Sequence, residues 1–121
     1  MSVNCLTKSS CVVILVVEIE NNMADTPEKK VKRKVTALLK TYNAYYFYPV
    51  TGGFGASGVP DIVACLNGRF LGIEVKADAK KRGVTALQQK NLDAIAAQGG
   101  VALIIDSYNL NELEDILEKL K

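Results

Sequence analysis

Two acids and a lysine stand where they could serve one reaction. Asp61 precedes the apolar run 62–66, Glu74 and Lys76 close the run 69–76, and Asn67-Gly68 joins the two. That dipeptide is the strongest short-range mark of a two-residue hairpin turn. With Asn67 and Gly68 in the turn, Leu66 faces Arg69, and counting back along both strands sets Asp61 opposite Glu74 and Val59 opposite Lys76. Facing residues hold their Cβ atoms about 5 Å apart, and like charges so placed repel. Glu74 and Lys76 share a face because strand side chains alternate. Two carboxylates and an ammonium thus converge at one end of an otherwise apolar sheet. A divalent cation relieves such repulsion, and oxygen ligands select hard ions, Mg²⁺ or Mn²⁺. The plain alternative is a charge pair at a frayed hairpin end, with Lys76 neutralising one acid.

Other chemistries are excluded or weakened. The chain has 121 residues and no histidine, so no Ser-His-Asp triad, Cys-His dyad or histidine general base can be built. Cys5, Cys11 and Cys65 lack zinc-type spacing, and three is an odd number for a disulfide framework. A reducing, intracellular and cytoplasmic setting (the host's, for a viral protein) is expected. Residues 53–58 literally satisfy G-x-G-x-x-G, but a strand follows where a dinucleotide fold needs a helix. No G-K-[ST] occurs either, so no nucleotide cofactor is expected. The glycines leave room for the close approach of a bulky partner's backbone, with Gly53, Gly55 and Ser57 as its contacts, or simply make a mobile turn. Fifteen Lys and Arg against 13 Asp and Glu give +2, a balance that neither demands nor forbids nucleic acid.

The elements that must position these groups are well punctuated. Thr26 caps a helix that opens on Pro27, and Val31, Val35, Leu38, Leu39 and Tyr42 recur at helical spacing, so the first helix covers about 27–42. Residues 45–50 are aromatic and β-branched and read as a strand. The hairpin strands follow at 59–66 and 69–76. A second helix spans about 86–98 and stops at Gly99-Gly100. Residues 101–105 form a short buried strand. Asn109 and Glu112 predict a capping box on a last helix with Leu110, Leu113, Ile116, Leu117 and Leu120 inward. Both faces of the hairpin strands are apolar, so helices must cover both sides of the sheet. The expectation is an α/β fold in α-β-β-β-α-β-α order, a mixed sheet flanked by helices on both faces.

Two polar residues head apolar stripes. Glu28 lies three and seven residues before Val31 and Val35, which carries the stripe of the first helix toward the core; its plainer role is to favour the helix dipole. Gln88 heads the stripe of Leu92 and Ile95, and forms a capping box with Thr85 in the plainer account. Departures from pattern of this kind gather at sites.

Gly58-Val59-Pro60-Asp61, then Glu74-Val75-Lys76, then Thr85-Ala86-Leu87-Gln88 resemble the VRR-NUC family, a branch of the PD-(D/E)XK nucleases with many phage members and one branch in DNA repair. The similarity runs from about Glu28 to Ile105. Alanine at 86 stands where relatives often carry proline, and residues 1–22 match nothing in the family pattern. The resemblance implies a restriction-endonuclease-like core and a Mg²⁺ site, with Mn²⁺ able to substitute, made by Asp61, Glu74 and the carbonyl of Val75. It further implies catalytic roles for Glu28, Asp61, Glu74, Lys76 and Gln88, with Glu28 completing the acidic cluster and Lys76 beside the attacking water. Phosphodiester hydrolysis in DNA follows, on branched DNA and by a homodimer, in the manner of stand-alone viral members that resemble Holliday junction resolvases. A flap or replication-fork nuclease, or a DNA-binding module without activity, are the alternatives.

Substrate contacts are expected from Lys80, Lys81 and Arg82, and from Lys30 and Lys34 within the basic first helix. Tyr45, Tyr46, Phe47 and Tyr48 suit either stacking on unpaired bases or, more commonly, strand packing. Residues 1–22 contain a seven-residue apolar run, Cys11–Val17, too short to span a bilayer, which needs about 20 residues. Glu18 and Glu20 spoil a signal-peptide cleavage site. That extension reads as an extra strand or a segment without settled structure, ahead of a working domain at 23–121 that has its own Met23 start.

Overall fold

In the computed structural model, which describes residues 26–50 and 55–121, the first helix begins as its sequence dictates. Thr26 accepts a hydrogen bond from the Lys29 N–H at 3.3 Å, Pro27 fills the first turn, and α1 runs Pro27–Thr41. The remaining elements are β1 (Tyr45–Phe47), β2 (Ile62–Leu66), β3 (Arg69–Val75), α2 (Ala86–Ala97), β4 (Val101–Ile105) and α3 (Leu110–Leu120). The extension at 1–22, the Met23 start and Gly53 lie outside the described residues. No helix among the described residues is long and apolar enough to cross a membrane.

The four strands form one sheet in the order β1-β2-β3-β4, antiparallel except for the parallel β3–β4 pair. Asn67 at φ 52° and Gly68 at φ 83° make the tight turn, and Leu66 faces Arg69 as expected. The ladder ends sooner than the expected strands. Its last pair is Ile62–Ile73, so Asp61 and Glu74 are not ladder partners, nor are Val59 and Lys76. Pro60 is buried against Gly72 and supplies no N–H for further pairing. The Lys76 N–H turns instead to the Ile105 carbonyl on β4, 3.0 Å away. β1 also falls short of Val50. Pro49 cannot donate to a ladder, and Tyr48 is held on α1 by its hydroxyl, 2.7 Å from that of Thr36, with the Lys32 ammonium over its ring.

The main core lies between one face of the sheet and the helices α1 and α3. Val31, Val35 and Leu39 meet Leu113 and Leu117 over Ile62, Leu71, Ile73, Val75 and Ile105, and all are buried. α2 packs over β3 and β4 on the other face. There Leu92 is buried, and Ile95 fills the space above Gly72 and Gly100 that a Cβ would need. Both faces thus carry helices, as the apolar strands required, but unequally. Among the described residues no helix covers the β1 side of the α2 face, where Tyr45, Phe47 and Phe70 are exposed.

The predicted capping box on α3 does not form. The Asn109 side chain turns back to the end of β4, accepting from the Asp106 N–H at 2.7 Å and donating to the Ile104 carbonyl at 2.8 Å. Glu112 is left to accept from the same side-chain amide at 3.0 Å.

Candidate functional site

The end of β3 is where chemistry gathers. Asp61, released from the ladder, accepts the Val75 N–H through Oδ2 at 2.9 Å. A side chain therefore does the work of the missing strand partner, and its carboxylate is held beside the sheet. N–H and C=O of one strand residue point to the same neighbour, so the Val75 carbonyl also turns toward Asp61. Glu74, one residue earlier, projects to the α2 face and is 2% exposed. The two carboxyls approach closely enough to share a hydrogen bond. The side chains thus converge although the backbone pairing has ended.

Glu74 is the most perturbed group of this site. Burial, then the hydrogen bond and the charge of Asp61, push its pKa up to about 8, with Glu28 adding a further repulsion and Lys76 pulling the other way. Its Oε1 accepts from the Gln88 side-chain amide at 3.0 Å, while its buried Oε2 meets no N–H or hydroxyl donor among the described residues. A buried carboxylate oxygen without such a donor costs free energy. It is the kind of atom that a cation completes.

Lys76 and Gln88 form the second half of the site. Lys76 is buried, and its Nζ donates to the Gln88 Oε1 at 3.3 Å. Among the described residues it forms no ion pair with either acid, which argues against simple neutralisation. Gln88 does everything asked of it at once. Its Oε1 also accepts the Thr85 N–H at 2.8 Å, and Thr85 Oγ1 accepts the Gln88 N–H at 3.2 Å, closing the capping box. The helix cap and the site contact, alternatives in the sequence, are one arrangement.

Glu28 departs from expectation. It is exposed in the first turn of α1, because the apolar stripe begins only at Val31, and it acts on Glu74 through its charge alone. Among the described residues no group of three acidic or thiol side chains is gathered, and Glu28 stands apart from the Asp61–Glu74 pair, exposed on α1. The oxygens that could hold an ion are those of Asp61, Glu74 and the Val75 carbonyl. That suits Mg²⁺, which binds through one or two carboxylates and keeps several waters.

Lys80, Lys81 and Arg82 are exposed on the loop that follows β3. Asp78 Oδ1 accepts the Lys80 N–H at 3.0 Å and the Lys81 N–H at 3.4 Å. The loop is anchored by a residue the sequence did not single out. Asp106, buried at the end of β4, accepts the Ala79 N–H at 2.9 Å through Oδ2 and the Tyr108 N–H at 2.9 Å through Oδ1. Burial works to raise its pKa, yet the backbone donors of Ala79, Tyr108 and Asn109, with the charge of Lys80, bring it below the usual carboxylate value. Asp106→Ala is expected to cost about 2 kcal/mol, the scale of hydrogen bonds to a charged group. Urea unfolding measures it. The only advance signal is an Asp at the end of a buried strand, ahead of the turn formers Ser107 and Asn109.

Lys30 and Lys34 are half-buried on α1, whose core face lies across the sheet from α2. Among the described residues, the cation acting on Glu74 is Lys76. Gly55 and Ser57 are exposed, and the Ser57 carbonyl accepts from the Asn91 side chain at 3.3 Å. Gly58, at φ 76°, lies so near α2 that a Cβ there would come within 2.6 Å of Leu87 Cγ. This close approach seats the loop carrying Asp61 on the first turn of α2.

No protein family, no curated protein and no solved structure matches the chain.

Proposed function

We propose that this chain is a Mg²⁺-dependent endodeoxyribonuclease of the VRR-NUC kind, built on a restriction-endonuclease-like core and hydrolysing phosphodiester bonds in branched DNA as a homodimer within the cell. The single observation that carries the reading is the buried Glu74 Oε2, which meets no N–H or hydroxyl donor among the described residues and lies beside the Asp61 carboxyl. A structural charge cluster would have closed that gap with Lys76. Here the lysine is tied to Gln88, and the acids are left short of positive charge.

Asp61, Glu74 and the Val75 carbonyl would hold the ion. Bound there, Mg²⁺ supplies Lewis-acid stabilisation of the phosphate and a water of lowered pKa. Lys76 supplies a fixed ammonium for charge that develops on the phosphate oxygens, and burial strengthens it by excluding water. Gln88 holds both Lys76 and Glu74 in place. A second protomer would provide a second cleavage centre, which resolution of a four-way junction needs, and two-fold pairing is the commonest assembly.

Calorimetric titration with Mg²⁺ or Mn²⁺ tests the centre: saturable binding in the wild type, lost in Asp61→Ala, is expected. No binding in the wild type would favour a DNA-binding module without activity. Cutting assays on four-way junctions, flaps and linear duplex define the substrate, and light scattering defines the assembly. A strict monomer would remove the junction-resolving form of the proposal.

The exposed basic loop predicts a salt effect. Replacing Lys80, Lys81 and Arg82 together with alanine should flatten the plot of log affinity against log salt by roughly one unit for each phosphate no longer neutralised. Binding titrations across a salt series read this directly; an unchanged slope would show that the loop does not touch the DNA.

A further inference from the structure

The part of the α2 face that no described helix covers has a composition of its own. Tyr45, Cys65 and Phe70 form one row across β1, β2 and β3, and Phe47, Val63 and Gly72 form the next. Tyr45 is 70% exposed, and Phe47 and Phe70 are each 45% exposed. Cys65 and Val63 make a half-buried floor between them. The alternation that turns Tyr45 and Phe47 outward sends Tyr46 inward, against the core. Simple strand packing therefore accounts for Tyr46 and not for its neighbours. The Tyr45 and Phe47 rings lie with centroids 6.2 Å apart and planes tilted by 55°, so neither covers the other's face.

The position of this patch gives it meaning. Gly72 and Glu74 alternate onto the same side of β3, so the acid pair lies one row beyond the Phe47–Val63–Gly72 row. Two residues of strand measure about 7 Å. The rings and the candidate metal centre thus lie on one sheet face, with half-buried Val63 leading toward Asp61 along β2, while Ile95 of α2 and Pro60 cover Gly72 on the β3 side. Exposed rings on an open sheet are how single strands are held, since every base has a face to stack and no sequence need be read.

We infer that Tyr45, Phe47 and Phe70 form a stacking platform for unpaired nucleobases. Resting on the DNA-cutting reading above, this makes the substrate a branched DNA with single-stranded nucleotides beside the scissile phosphate. The bases would lie on the rings, and their backbone would run toward Asp61 and Glu74.

The test measures binding of a short oligo(dT) to the full chain in EDTA, where no cutting occurs. Tyr45→Ala, Phe47→Ala and Phe70→Ala should each weaken binding roughly 5- to 150-fold, the range for loss of one base–ring stack. Phe47→Tyr should restore it, and the salt dependence should stay as in the wild type because the same phosphates remain neutralised. In Mg²⁺ the wild type should cut a flapped duplex faster than a fully paired junction, and Phe47→Ala should lose that preference. Unchanged oligo(dT) affinity in a folded Tyr45→Ala/Phe47→Ala double variant would overturn the platform. So would light scattering that shows the double variant dissociating a dimer while oligo(dT) affinity is kept; the face would then be an interface between two copies. Metal binding and cutting with ring variants that bind normally would leave the nuclease and remove the platform. Ring-dependent binding with no metal uptake would do the reverse.

Discussion

Asp61→Asn is expected to lower Mg²⁺-dependent cutting of branched DNA by on the order of 10³-fold while leaving the protein folded. The choice of variant matters. Asp61 Oδ2 accepts the Val75 N–H at 2.9 Å where the β2–β3 ladder has stopped, so alanine would remove a structural bond and a charge together. An amide oxygen can still accept that N–H, and only the negative charge is removed. Alanine should abolish cutting as well, with a stability cost of about 1–3 kcal/mol for the bare N–H. Lys76→Ala should match the asparagine variant in cutting, because its ammonium is held by the Gln88 amide, which retains Thr85. Rates are read by single-turnover cleavage with circular dichroism as a fold control. Wild-type rates in either variant would refute the site.

The second large effect is a stability that moves against activity. Burial and Asp61 raise the Glu74 pKa to about 8 from an ordinary 4.5. Between those values the folded chain keeps a proton that the unfolded chain has released. The stabilisation tied to that proton is whole below pH about 4.5 and is lost as pH rises through about 8, at a limiting slope of roughly 1 kcal/mol per pH unit. In EDTA, Glu74→Gln should remove this slope while its side-chain oxygen still accepts from Gln88. The variant should therefore be the more stable protein at pH 8, by on the order of 1–3 kcal/mol, and inactive. Mg²⁺ should raise the melting temperature of the wild type and leave the variant unmoved. Thermal melts at several pH values, with and without Mg²⁺, provide the readout. A variant less stable than wild type across the whole range would make Glu74 an ordinary structural acid.

Much of this was legible in the chain, for reasons that differ by residue. Asn67-Gly68 set the register of β2 on β3 because a two-residue turn with positive φ at both positions leaves no other pairing. The point where the ladder ends was not legible. It depends on Pro60 lying against Gly72, a contact between residues that no local period links. Glu28 misled because helical spacing tells which side of α1 faces the core but not where along the helix the core begins. In the sequence Gln88 reads equally as a cap and as a site residue. An amide has an oxygen that can accept twice and a nitrogen that donates, so it serves both. Asp106 was missed altogether, since its partners are backbone groups 27 and 2 positions away, and backbone donors leave no mark in a sequence. The aromatic run at 45–48 looked uniform as letters, and only the pairing with β2 divides it into inward and outward rings.

The double duty of Gln88 ties local motion to output. Fraying of a helix's opening turn is among the cheapest movements a protein makes. In this chain it would release the amide that steadies Lys76 and Glu74 together. On the nuclease reading, warmth should therefore silence cutting some degrees before the sheet comes apart, and any ligand that clamps Thr85–Gln88 would act as an accelerator without touching DNA.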